Sequence, residues 1–588
     1  MPLSIMIDSD PNAFAIPLVV AVTGHRDLVP AEIPTIRDRV RELCAKLQRD
    51  YPDRRLKVMS PLAEGADQLV AEVALEMGVE LVVTLPMQKS VYRSDFQSPE
   101  AVARFDALCD QATELYELPL ASGNSDEGIS ANGPQRTRQY AQLGVFLCAH
   151  CHVLLAIWDG KLTNELGGTG QVVKFHHDDI MPDYTPKTVA TQQMLVDDES
   201  DLVYHIVCSR NRSDGDPLEG LQPLDWCWFT KDRKHPRSQE LPKQHKLIFA
   251  HSAEFSRDAK RYAEAIQAEK YPLYTNAQSA ELPSGVDAIN RLYCISDWLA
   301  ISYQKKVLRT LRTTHVLAFL MGLMFILYTD VEGWQYYMVA FLLFFVASAA
   351  VQYWAERQGW HRKYLDYRTL AEGLRVQFYW AVAGVRNENE SKYTHDNFLQ
   401  AQDPELGWIR NIMRVAGTHC DAAHTVSESG LQFVLREWIG DIGGGGQLAY
   451  FATKAVDKAK RNRLTERLGK LSLLTSVGVV LVFVTIGSRL PDHWSSPLLV
   501  AMGAMLLIYA IRQGYGYATA EKDLIKQYEF MLRLFQNAHR RLNNASDAQE
   551  KRQVLLALGG SALDEHAEWI LMHRDRAIDQ SEIWRMGS

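Results

Sequence analysis

The residues best suited to chemistry occur in short polar clusters, each at the end of an apolar run. Gly24-His25-Arg26-Asp27 closes LVVAVTG at 18–24, and Glu64-Gly65-Ala66-Asp67 follows LKVMSPL at 56–62. Lys89, Tyr92, Arg93 and Asp95 follow ELVVTLP at 80–86, and Trp158-Asp159-Gly160 ends HVLLAIWDG at 152–160. The most informative cluster is Gly167-Gly168-Thr169-Gly170-Gln171. Glycines let a backbone approach a phosphate closely, and a helix opening at about Thr169 would aim unpaired N–H groups at an anion. Taken alone, GGTG also fits a plain strand-to-helix turn, and it gains weight only because the other clusters converge on one edge. Arg26 and Asp67 have plainer readings as a solvated loop charge and a helix N-terminal acid.

The elements that must hold these clusters are short strands alternating with helical patterns. The four apolar runs above, a weaker TELYELPL at 113–120, and stretches such as 34–51 and 67–77 with helical spacing predict a parallel sheet covered on both faces. A Rossmann-like α/β domain over 17–210 follows, after an N-terminal tail at 1–16. In such sheets ligands bind beyond the carboxyl ends of the strands, which is where the clusters lie. Residues 211–285 read as a connector, irregular and proline-bearing to about 245, SDGDPLEG and KDRKHPRSQELPK being examples, with helical patterns returning from Leu247; LVYHIVCS at 202–209 is one further strand-like run.

The succession VTGHRD, SPLAEGADQLVAEVAL, VVTLPMQKSVYRSDF, LLAIWDG and GGTGQVV resembles the SLOG domains, nucleotide-ligand sensors of bacterial conflict systems related to the LOG phosphoribohydrolases. The resemblance spans roughly 15 to 210. It implies a nucleotide-derived ligand, a cyclic nucleotide or ADP-ribose derivative, held by the clusters named above. LOG enzymes carry PGGxGTxxE with a catalytic glutamate, and the matching position here is Lys174. A lysine cannot act as the carboxylate at an oxocarbenium-like centre, so a sensor is expected rather than an N-glycosidic hydrolase, with no catalytic residue and no bound cofactor.

Cys148, His150, Cys151 and His152 crowd a helix-to-strand junction without a separated second pair, so no metal site is expected there; His176-His177-Asp178-Asp179 reads as a polar loop. The formal charge of -8 supplies no basic tail and argues against a nucleic acid polymer as partner. The opening MPLSIMIDSDPNAFAIP has acids in place of an n-region and is not expected to act as a secretory signal. All eight cysteines are expected on the cytoplasmic side, reduced.

Beyond residue 285 the chain changes character. Four apolar stretches, at 313–331, 334–354, 471–488 and 495–511, predict a mostly α-helical membrane region of two hairpins, since roughly 20 residues of helix cover the ~30 Å hydrocarbon core. The turns fall at Asp330-Val331-Glu332-Gly333 and around Arg489, Pro491, Asp492 and Trp494. Lysines and arginines flank the other ends, for example Lys305, Lys306, Arg309, Arg312, Arg357, Arg461, Arg463 and Arg467. The positive-inside rule then puts both termini and the α/β domain in the cytoplasm of a bacterial inner membrane. Each hairpin is preceded by a basic helix and followed by a tyrosine-rich one, and EWI recurs at 437–439 and 568–570. This order resembles the SLATT domain, a two-helix membrane module associated with SLOG, here twice, as units 286–440 and 441–588. DIGGGG at 441–446 reads as a joint. The resemblances together imply an antiviral effector that homo-oligomerises in the bilayer on binding its ligand and causes abortive infection; a membrane-anchored LOG-like hydrolase is the alternative.

Overall fold

The computed structural model describes residues 14–163, 165–185, 201–231, 236–330, 334–386, 393, 398, 404–423, 426–486 and 491–578. Residues 1–13 of the expected tail and the turn residues Val331, Glu332, Gly333 and Arg489 lie outside them.

The N-terminal region is a mostly parallel sheet with helices, followed by a mostly helical region. The strands are β1 (Leu18–Gly24), β2 (Leu56–Ser60), β3 (Glu80–Leu85), β4 (Glu114–Glu117), β5 (Val153–Trp158), β6 (Val203–Val207), β7 (Trp226–Phe229) and β8 (Arg237–Ser238). Their spatial order is β4-β3-β2-β1-β5-β6-β7-β8. The pairs from β4 through β6 are parallel, and β6–β7 and β7–β8 are antiparallel. Every residue of β5 and β6 is buried, as unbroken apolar runs in a sheet covered on both faces require. The chain steps outward from β1 to β4 and returns to place β5 on the other side of β1. The strand order therefore reverses between β1 and β5, and a crevice opens beyond their carboxyl ends.

The stretch expected to be irregular supplies β7 and β8, and the helix Lys243–Arg261 covers the start of the stretch where helical patterns return. WCWF at 226–229 joins the sheet through its rings: Tyr204 stacks on Trp226 at 5.5 Å between centroids and meets Trp228 edge-on at 4.8 Å. Aromatic cross-strand pairs of this kind stabilise a short antiparallel edge that proline-bearing flanks conceal in the sequence.

The chain divides into two compact units, one comprising Met1–Trp298, Thr369–Phe433 and Leu555–Ala567, the other Leu299–Arg368, Val434–Val554 and Glu568–Ser588. In the first, the helix Gly407–Ala423 is tied to the α/β domain by a buried ion pair, Arg414 Nη2 to Asp201 Oδ1 at 3.1 Å.

Among the described residues four helices are long and apolar enough to cross a membrane, Val286–Asp330, Gln335–Arg357, Gly446–Ile486 and His493–Ala518, the first of them from Leu299 on and the other three wholly within the second unit. The fourth packs on both the first and the third. Ser472 and Ser476, one helical turn apart, donate to the carbonyls of Met505 (2.7 Å) and Met502 (3.1 Å). On another side, a Cβ on Gly503 would lie 2.9 Å from Ile326, and one on Gly322 would lie 2.7 Å from Leu507. Small residues thus admit close antiparallel approach of these helices within one chain. Gly478 has nothing within 4 Å of its Cβ position.

Candidate functional site

At the crevice, β1 ends in a glycine because the neighbouring helix leaves no room for a side chain: a Cβ on Gly24 would lie 2.4 Å from that of Ala66 and 3.0 Å from the Ile157 carbonyl. Gly65, at φ +85°, precedes the helix Ala66–Glu76, and its Cβ position falls 2.4 Å from the Arg26 carbonyl. The His25 carbonyl accepts from the Ala66 N–H at 3.1 Å, and the His25 N–H donates to the Ile157 carbonyl at 3.1 Å. The ends of β1, β2 and β5 are thereby held together as one backbone floor.

Side chains close around that floor. His25 Nε2 lies 3.1 Å from Asp159 Oδ1, both buried, and the Lys161 N–H donates to the same oxygen at 3.0 Å. Burial pushes the Asp159 carboxyl up, but His25 and the Lys161 N–H outweigh it and hold the group below the usual carboxylate range. Arg26 is half-exposed, with Nη2 3.8 Å from Asp95 Oδ2. Asp95 also accepts from Arg136 Nη2 at 2.6 Å and from the Tyr140 hydroxyl at 2.5 Å. Arg136 reaches Ser94 Oγ and the carbonyls of Val91 and Ile129 as well, so its buried guanidinium is fully engaged in fixing the loop after β3.

Asp67 is 5% exposed. Burial pushes its carboxyl up to about 8, against the opposing pull of Arg26 and a backbone hydrogen bond at Ala63. Tyr92 is also buried; burial drives its hydroxyl well above the ordinary range, with Arg26 opposing. Arg26, Asp67, Tyr92 and Asp95 therefore form one electrostatically coupled group.

The glycine cluster lies where the sequence placed it, with Gly168 preceding the helix Thr169–Asp178. Its glycines also answer to packing. A Cβ on Gly167, at φ +75°, would lie 2.9 Å from the Ala141 nitrogen, and one on Gly170 would lie 2.8 Å from the Lys161 carbonyl. The loop is thus pressed between the helix Pro134–His150 and the residues after β5. Gln171, in the first turn, is buried, and Lys174 is half-buried on the same helix.

Among the expected residues, the structure brings together Gly24, His25, Arg26, Gly65, Asp67, Tyr92 and Asp159, with the Gly167–Gln171 loop adjoining through Lys161 and Tyr140. Three others are placed differently. The Trp158 ring packs on His205 in the core with its N–H donating to the Lys161 carbonyl; Arg93 pairs with Asp106 at 2.9 Å; Glu64 is exposed. Arg136 and Tyr140 escaped the sequence reading because they precede a strand. The helix Pro134–His150 runs antiparallel to β5, so its first turns reach the carboxyl edge. The signal was their polarity at i, i+4 in a helix otherwise rich in apolar residues.

The cysteines and histidines at 148–152 have separate surroundings. The Val19 N–H donates to His152 Nδ1 at 2.9 Å, His150 Nδ1 meets the Arg414 carbonyl at 2.8 Å, and Cys148 Sγ approaches the Val172 carbonyl at 3.7 Å. Among the described residues no group of three or more His, Cys, Asp or Glu side chains is arranged to hold a metal ion. No protein-family model matches the chain, and no curated protein matches its sequence.

Proposed function

We propose that the chain is a membrane effector switched by a small nucleotide-derived ligand, which binds in the β1/β5 crevice and causes the membrane helices to assemble and permeabilise a bacterial inner membrane in antiviral defence. The observation that carries this reading is the composition of the crevice: four strand ends converge there beside a glycine-started helix, in a chain that also bears four helices suited to a bilayer. Lys174 stands where the related hydrolases place a catalytic acid, which favours sensing over turnover. The helices supply no chain of ionisable groups for a relay, which favours assembly over a preformed ion path. Ligand can drive assembly only if it binds the assembled state more tightly.

A second reading, a membrane-anchored nucleotide hydrolase, draws on the His25–Asp159 pair, a buried imidazole and carboxylate of the kind that serves acid–base chemistry. Incubating the purified protein with a panel of cyclic nucleotides and ADP-ribose derivatives separates the two. Dye release from protein-loaded liposomes with the nucleotide recovered intact supports the effector, and nucleotide cleavage without release supports the hydrolase.

A further inference from the structure

Three buried side-chain oxygens at the crevice have no hydrogen-bond partner among the described residues. They are Asp67 Oδ1, Asp159 Oδ2 and Gln171 Oε1, on side chains only 5%, 1% and 4% exposed. Buried polar atoms of this kind are almost always satisfied, and each exception calls for an explanation. The three belong to neighbouring segments. Asp67 follows Ala66, whose N–H bonds the His25 carbonyl; His25 lies against Asp159; Asp159 accepts from Lys161; and the Lys161 carbonyl faces Gly170 beside Gln171. The cations nearby are mostly committed: Arg136 to Asp95, Arg210 to Asp27 at 2.8 Å, and Lys161 Nζ to the Asp214 carbonyl at 3.0 Å. Arg26, half-exposed and 3.8 Å from Asp95, is placed to meet an anion.

We infer that the crevice selects its ligand chiefly by hydrogen-bond donors, recognising the hydroxyl groups of a ribose through Asp67, Asp159 and Gln171, with one phosphate at Arg26, rather than by binding a polyphosphate. This inference rests on the nucleotide-sensor reading and narrows it to ribonucleosides of low phosphate count. A dense polyanion would meet the carboxylates of Asp159 and Asp95. A ligand hydroxyl, which both donates and accepts, supplies the partners that the three oxygens lack, and a site built to bond a hydroxyl rejects the analogue without it because its own buried groups are then left bare.

The test uses full-length protein in detergent, with binding read by calorimetry for AMP and ADP-ribose, for their 2′-deoxy and 3′-deoxy counterparts, and for orthophosphate, triphosphate and magnesium chloride alone. Removing a hydroxyl is expected to weaken binding about ten-fold or more. Asp67→Asn, which exchanges a carboxyl for an amide at nearly constant volume and so changes which hydrogen bonds the position can make, should weaken the hydroxylated probe and largely abolish the distinction between it and the deoxy probe. Equal loss for both probes would assign Asp67 a structural role and overturn its part in selection. Triphosphate binding as tightly as ADP-ribose, or equal affinity for ribose and deoxyribose probes, would overturn the inference while leaving a nucleotide sensor in place. Magnesium binding alone, lost in Asp67→Asn, would show that the oxygens serve a cation and would equally overturn it. If no nucleotide binds, the sensor reading and this inference fail together.

Discussion

Asp67→Asn offers the most quantitative check on the crevice. The wild-type carboxyl rises from 3.8 to about 8 because it is buried with one oxygen lacking a donor. At neutral pH the folded state therefore keeps a proton that the unfolded chain releases. The unfolded state binds fewer protons between pH 4 and 8, so this group's contribution to stability is full below pH 4 and is lost as pH rises through that window. At ~1.4 kcal/mol per unit the whole shift sets an upper limit; with relaxation of the site the loss is on the order of 2–4 kcal/mol by pH 8. Asparagine keeps the shape and cannot ionise, so the variant should match wild type near pH 4 and melt several degrees higher near pH 8. Thermal unfolding of both proteins in the same detergent from pH 4 to 8 reads the difference, which cancels every other titrating group. A melting difference that stays constant across the range, or that grows toward acid, would mean that Asp67 is charged in the fold and would refute the account of its burial.

Four further outcomes are expected. Arg26→Ala should weaken nucleotide binding by about 1.5–3 kcal/mol, the scale of a charge-assisted bond to phosphate, with little effect on melting because the side chain is half-exposed; a loss of a few tenths by calorimetry would return Arg26 to the solvated surface. Asp201→Asn removes the carboxylate facing the buried Arg414 and should destabilise in denaturant by up to roughly 3–5 kcal/mol, whereas wild type, whose Asp201 carboxyl is held far below the usual range by Arg414 against the opposing effect of burial, should lose this contribution only as pH falls into strong acid. Gly503→Leu should disturb packing inside one chain against Ile326 and lower the melting temperature, whereas Gly478→Leu should leave melting unchanged and reduce only ligand-driven growth in particle size. A cysteine at Thr329 should react with an impermeant maleimide outside intact cells and one at Glu428 should not; the reverse labelling would place the crevice outside, away from any cytoplasmic signal.

The parts legible in the sequence are those where one physical cause dominates. β1, β2, β3 and β5 read as strands because burial on both faces leaves an uninterrupted apolar run, and the four described helices long and apolar enough to cross a membrane read as such from length and apolarity alone. Residues beyond strand ends pointed to the crevice because chain direction in a parallel sheet puts all those ends on one edge. What escaped depends on partners distant in sequence. WCWF at 226–229 is a strand because Tyr204 receives it, and Arg136 and Tyr140 reach the site because a helix returns to the same edge from the opposite direction. Trp158 looked like a ligand contact from its position and is a core residue because His205 lies under its ring. In the four long apolar helices the apolar residues run all round, so no stripe indicates which faces meet; Gly322 and Gly503 face neighbours within the chain and Gly478 does not.

Ligand-triggered leakage is the most direct test of the central claim. Full-length protein reconstituted in dye-loaded liposomes, with the crevice facing the bulk solution, is titrated with the tightest-binding nucleotide found by calorimetry. Wild type should release dye with a midpoint that tracks the measured affinity, and Arg26→Ala should shift that midpoint to higher concentration by the same factor as its loss of binding. Tight binding with liposomes that stay sealed at saturation would contradict the effector account and leave the helices as an anchor.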